Sequence, residues 1–203
     1  MAGLRPRLFY RGSSVALITA TEVTVLTDIS ASVLTIIESQ LVEHVTDRIN
    51  QITGNQFTTE ICAQDRMTFD GSALTVTASS ADFAENGFAA GDEIYIYRSY
   101  RNDGYYTVGS VSEKTLTLES GSTITDELSG RSIIVSLVSW PRPLKQIAAN
   151  MIKYDLESRR ARDPGVRSRS LGPWSESYAP ETEDGYPAEI LEGLRPYRIA
   201  RLM

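Results

Sequence analysis

Between Met67 and Trp140 helical periodicity stops, and the chain is cut into short runs of Thr, Ser, Val, Ile and Tyr. The cuts are explicit turns: Asp70-Gly71, Gly91-Asp92, Asn102-Asp103-Gly104 and Ser120-Gly121. Gly beside Asn or Asp supplies the backbone angles of a tight reversal, so each cluster marks where a strand must turn back. Candidate strands are 67–69, 74–78, 93–97, 105–111, 115–119 and 132–138. Short strands at this spacing predict a small antiparallel barrel or sandwich. Residues 80–86 read as one helical turn ended by Gly87.

Either side of this stretch the pattern is helical. Thr19 or Thr21 can cap a short helix, with Glu22 near its positive end. A longer helix is expected over 31–52. Its residues Leu34, Ile37, Leu41, Val45, Ile49 and Ile52 lie on one stripe, Ile36 lies opposite, and Gly54 stands as terminator. After Trp140, Pro143 suits a first helical turn. Leu144, Ile147, Ala148, Met151 and Tyr154 share a face that Ile152 and Leu156 widen, more than one neighbouring helix needs. A polar Ser/Gly/Pro stretch over 166–185 precedes a short helix at 187–194 and a tail. These patterns predict an α+β fold: a helical core from residues 1–66 and 141–203, with a small antiparallel β-module, 67–140, inserted into it.

Charge narrows the function. The 203 residues carry 20 Lys and Arg against 26 Asp and Glu, a net charge of −6, which argues against a uniformly basic nucleic-acid binder. The excess sits in residues 12–139, with seventeen acids and six bases, whereas 140–169 hold eight bases and three acids. An acidic body with basic ends suggests an assembly with two different faces. One Cys and one His rule out an internal disulfide and a zinc site built on Cys and His alone. No apolar run approaches a membrane span, and the start lacks a signal-type apolar segment, so a soluble, unsecreted protein is expected.

Catalytic chemistry is not visible. Nucleophilic catalysis needs a nucleophile, a base and an orienting group. His44 reads as packed or capping, Cys62 as buried and inert. The acid pairs Asp92-Glu93 and Asp126-Glu127 fall in expected turns and read as solvated carboxylates. No phosphate loop, dinucleotide fingerprint or HExxH motif occurs. The expectation is a protein that is not an enzyme and needs no cofactor or metal. Asn102 to Tyr106 reads either as a tyrosine-bearing ligand loop or as a hairpin with cross-strand tyrosines. The Arg159, Arg160, Arg162, Arg167 and Arg169 group could meet phosphates or an acidic protein surface, or pair locally, as Asp155 with Arg159.

The segment LITATEVTVLTDISASVLTIIESQLVEHVTDRINQITGNQF resembles the opening of tailed-phage head-to-tail connector (adaptor, head-completion) proteins. That opening is a short helix, then a long one ending in Thr-Gly and an aromatic, here Thr53-Gly54 and Phe57. PRPLKQIAANMIKYDLESRR, GVRSRSLGPWSESYAP and the Tyr186-Pro187, Ile190-Leu191, Leu194, Tyr197-Arg198 series extend the resemblance, which covers 17–57 and 141–203. The β-module departs from compact all-helical members and is similar to small barrels of other phage structural proteins.

The resemblance implies a structural virion protein, assembled in the host cytoplasm and placed in the neck. It would form a ring under the portal, extend the DNA channel and carry the next neck (stopper) or tail protein. Double-stranded DNA would pass without specific binding, and no membrane is involved. The tail residues Leu194, Tyr197, Arg198, Ile199 and Arg201 combine aromatic, aliphatic and Arg character and are the expected portal-docking contacts. Ile36 and the five arginines from Arg159 to Arg169 are the expected contacts between subunits or with partners. The alternative is a protein whose β-module binds a ligand or host surface on a helical scaffold.

Overall fold

A computed structural model describes residues 17–128, 130, 132–159, 168–171, 174–177 and 185–199, which fall into two compact units. One is Gln56–Ser139; the other joins the described residues before Gln56 to those after Ser139.

The first unit is a closed antiparallel barrel of six strands, in the order β1-β2-β5-β4-β3-β6. The strands are β1 (Thr58–Asp70), β2 (Thr75–Ala78), β3 (Glu93–Tyr97), β4 (Gly104–Val111), β5 (Thr115–Leu118) and β6 (Ser132–Val138). β1 closes the ring because its 13 residues pair twice, with β2 from Met67 to Asp70 and with β6 from Thr58 to Arg66. Burial alternates along β2, β3 and β5, as it must when one face fills a barrel. Met67, Phe69, Val76, Ile94, Ile96, Tyr106, Val108, Leu116, Ile133 and Val135 fill the interior. At one end lie the β1–β2 turn, the β3–β4 loop and the segment joining β5 to β6. At the other lie the β2–β3 connection and the β4–β5 turn.

That second end is stoppered. Phe83 and Phe88, both in the core, meet edge to face with ring centroids 5.7 Å apart. The Phe83 N–H donates to the Glu113 carbonyl at 2.7 Å, which hangs the connection on the β4–β5 turn. Asp65 anchors the start of the same connection by accepting from the Ser80 and Ala81 N–H groups. Desolvation pushes the Asp65 carboxyl up, but the donors Ser80, Ala81 and Arg66 outweigh it and hold the group below its usual range.

This architecture corrects the expected fold class. The dominant core is the closed barrel, not a helical core carrying a small insert. β1 begins at Thr58, so much of the stretch assigned to the N-terminal helical part is barrel wall. Helices are short: among the described residues the longest α-helical segments have 12 residues.

In the second unit, α1 (Ala20–Leu26) opens on a capping box, with Thr19 accepting from the Glu22 N–H and Glu22 accepting from the Thr19 N–H. The expected helix over 31–52 is built from four contiguous pieces: a 3-10 turn (Ala31–Val33), α2 (Leu34–Ile36), a π-helical turn (Ile37–Leu41) and α3 (Val42–Thr53). The π turn holds one extra residue, so Ile37 and Val42 are buried although five apart. The buried face then runs through Val45, Thr46, Ile49, Asn50 and Thr53, while Leu34, Leu41 and Ile52 are only half-buried. Gly54 caps α3 with φ 65°.

α4 (Arg142–Lys153) buries Leu144, Ala148, Ala149, Met151 and Ile152, and a π turn (Tyr154–Arg159) continues it. A hairpin, β7 (Ser168–Leu171) with β8 (Trp174–Ser177), and α5 (Ala188–Glu192) complete the unit. Tyr186, buried, donates to the buried Asp155 carboxylate at 2.7 Å. Tyr186→Phe removes that donor and leaves the acceptor desolvated. It is expected to cost about 1–3 kcal/mol, read as a lower urea midpoint at unchanged m.

Candidate functional site

β3 ends in Tyr97, and the chain turns at once through Arg98, whose φ of 70° is a left-handed value that a non-glycine residue adopts at a cost. The loop that follows, Ser99 to Asp103, is held by side chains rather than by sheet pairing. Asp103 accepts from the Ser99 N–H at 2.7 Å and the Ser99 hydroxyl at 2.9 Å. The Ser99 hydroxyl oxygen accepts from the Asn102 N–H at 2.7 Å.

A second layer comes from the β5–β6 connection. Glu127, 9% exposed, accepts from the Tyr100 N–H at 2.9 Å and from the Arg101 N–H at 3.4 Å. It also accepts from the Asn102 side-chain amide at 3.1 Å. Asn102, 1% exposed, donates to the Thr125 carbonyl at 2.9 Å and accepts from the Thr125 N–H at 2.7 Å. Its own carbonyl accepts from the Tyr106 hydroxyl at 3.2 Å. Burial, with Asp103 nearby, pushes the Tyr106 phenol well above its ordinary range, so it stays a donor. Glu127 is itself tied to the barrel by a two-way backbone pairing with Phe69.

The result is a loop whose backbone donors are consumed internally while large side chains remain outside. Tyr100 is 64% exposed, Leu128 is 88% exposed, and Arg98 and Arg101 are exposed. The Arg98 guanidinium lies 6.0 Å from the Tyr97 ring centroid. The barrel wall below carries Tyr97 stacked on Tyr95, and Tyr95 against Tyr105 at 4.7 Å. A loop with its backbone already ordered and carrying Tyr and Arg is suited to recognition, because only side-chain ordering is left for the binding step.

Of the two readings of Asn102 to Tyr106, the fold contains the hairpin: Tyr105 pairs with Tyr95 across the strands, while Tyr106 faces the core. Glu127 corrects the expectation of a solvated acid; it is a buried acceptor. Sequence alone gave no signal for it, since its donors lie 25 to 27 residues away. Cys62, expected to be buried, is exposed on the outer half of β1, and His44 is exposed on α3.

The other expected contacts are scattered. Leu194 lies fully within the core of its own unit. Tyr197 is half-buried and Arg198 exposed. Ile199 is 55% exposed, yet its N–H donates to the Thr53 carbonyl at 2.8 Å. Ile36 is half-buried. Arg159 and Arg169 are placed by backbone only, in the second π turn and in β7. Arg160, Arg162, Arg167 and Arg201 lie outside the described residues.

Among the described residues no group of three His, Cys, Asp or Glu could hold a metal ion, and no helix is long and apolar enough to cross a membrane. No protein-family model and no curated protein matches the chain.

Proposed function

We propose that the protein is a structural head-to-tail adaptor of a tailed phage. It joins a ring beneath the portal, about twelve copies if it follows that partner's symmetry. In the neck it extends the DNA channel and receives the next neck or tail protein.

One observation carries the reading. The two stretches that resemble connectors, 17–57 and 141–203, are separated by the barrel sequence, yet their helices belong to one compact unit. Glu22 on α1 meets Lys145 on α4 at 2.6 Å. Lys145, first, and the Thr19 N–H hold the Glu22 carboxyl below its usual range. The Ile199 N–H bonds the end of α3 through Thr53. The remainder of the described tail, half-buried Tyr197 with exposed Arg198 and Ile199, is the proposed portal contact; Leu194 supports it from within the core.

Native mass spectrometry and electron microscopy of the protein mixed with its cognate portal test this. Ring-shaped density on the portal is the expected result. Free monomer alone, with the portal itself intact, overturns the adaptor reading and favours a stand-alone binding protein.

A further inference from the structure

We propose that the outer face of β6 and β3 is the docking site of the chain's own residues 5–11 (Arg-Pro-Arg-Leu-Phe-Tyr-Arg), which lie outside the described residues. The proposal goes beyond the adaptor reading and uses none of it.

β6 departs from the alternating burial of β2, β3 and β5. Ile133 and Val135 belong to the barrel interior, so Ile134, Ser136 and Val138 point outward, yet they are only 7%, 3% and 7% exposed. The same outer face continues over β3 and β4. Tyr95 lies beside Ser136, Tyr97 beside Ile134, and Tyr105 beside Tyr95. All three tyrosines are half-buried, whereas Cys62 and Gln64, which flank Ser136 and Ile134 from β1, are exposed. The covered area is therefore a strip along β6 and β3, about 10–15 Å wide at ordinary strand spacing. It is an engaged surface: Glu93, Tyr95 and Tyr105 each have a further partner by hydrogen bond, ion pair, ring contact or charge.

Residues 5–11 match this strip in composition, charge and reach. Leu8, Phe9 and Tyr10 are apolar and aromatic, like the Tyr95, Tyr105, Ile134 and Val138 surface they would cover. Arg5, Arg7 and Arg11 come with no acid, and the charged member of the strip is Glu93, which alternates with the core residue Ile94 and so faces outward. Residues 56–139 as a whole hold twelve acids and five bases, which attracts a cationic segment and repels a polyanion. Arg98 stands over Tyr97 and repels cations at that end, so the arginine contact belongs at the Glu93 end. Sixteen residues precede Leu17, the first described residue, and fully extended they span up to about 55 Å. A tethered segment meets its site at an effective concentration on the order of millimolar, an advantage that a separate partner lacks.

Cys62, the chain's single cysteine, is exposed at the rim of the strip beside Ser136 and can report the contact directly. Leu8→Cys, Phe9→Cys and Tyr10→Cys are introduced one at a time into the full chain, which is then oxidised in dilute solution. A disulfide needs Cα atoms within about 7 Å. At least one of the three variants should close an intramolecular bond, seen as monomer mass with both thiols lost. Moving the barrel thiol to β5, three strands from β6, by C62S with T117C should slow that closure at least about tenfold. R7E/R11E in the closing variant should slow it at least about threefold with unchanged circular dichroism, and adding E93R should restore it. Should R7E/R11E fail to fold, E93R alone carries the charge test with the same loss expected. No intramolecular closure at any of the three positions overturns the proposal. So does closure that is equally fast at T117C, or that is indifferent to the charge substitutions. Disulfides found only between chains, at twice the monomer mass, overturn it in favour of the same segment of a second copy.

Discussion

Asn102→Asp is expected to destabilise the barrel by about 3–5 kcal/mol at neutral pH, although it exchanges a single NH2 for an oxygen. The amide nitrogen faces two acceptors, the Thr125 carbonyl and the Glu127 carboxylate at 3.1 Å. A carboxylate there meets the Glu127 carboxylate as a like charge and the Thr125 carbonyl as a second acceptor without a donor, in a buried site. The dependence on pH has a definite sign. The introduced carboxyl titrates higher in the folded barrel than in the unfolded chain, so the folded state holds its proton longer. The defect is therefore small below about pH 4 and grows as pH rises above that unfolded value. Thermal melts of wild type and variant from pH 4 to 8 measure it. At about 4–8 °C per kcal/mol for a unit of this size, the gap at pH 7 is expected to exceed about 10 °C. Equal melting temperatures at pH 7 would refute the buried-pair account of the loop.

Phe83→Ala is the second large effect, at about 3–5 kcal/mol. Phe83 is fully buried at the stoppered end and packs edge-on against Phe88. Truncation leaves a void that the strands cannot close over, because their spacing is fixed by hydrogen bonds around a closed ring. Urea unfolding should show a lower midpoint. A loss under about 1 kcal/mol would mean that the β2–β3 connection merely covers the barrel and does not fill it.

Strands bounded by explicit turn residues were legible from the sequence. The candidates at 93–97 and 132–138 coincide with β3 and β6, and those for β2, β4 and β5 differ by one residue at an end. β1 was legible only in its last part, because from Thr58 to Arg66 only Ala63 is buried and the polar run carries no period. Closure depends on that same run pairing with β6, some seventy residues away, which no local pattern encodes. The helix over 31–52 misled for a different reason. A stripe drawn at regular helical spacing selects Leu34, Leu41 and Ile52, and one extra residue in the turn moves the buried face to Val42, Thr46 and Asn50. At the candidate site, Asn102-Asp103-Gly104 was readable as a turn. Its partners Glu127 and Thr125 were not, since cross-loop acceptors leave no spacing signature.

The π turn at Ile37–Leu41 also changes how this chain tolerates length variation. Deleting a residue from an ordinary α-helix rotates everything beyond it by about 100°, swinging the apolar stripe out of the core. Here the helix already carries the surplus residue. Losing one of the exposed Glu38, Ser39 or Gln40 would let the segment relax to regular α geometry while Ile37 and Val42 keep their common face. Shorter relatives of this chain, if shortened at that point, would retain the same helix packing, and an alignment that placed the gap elsewhere in the helix would put the wrong residues in the core.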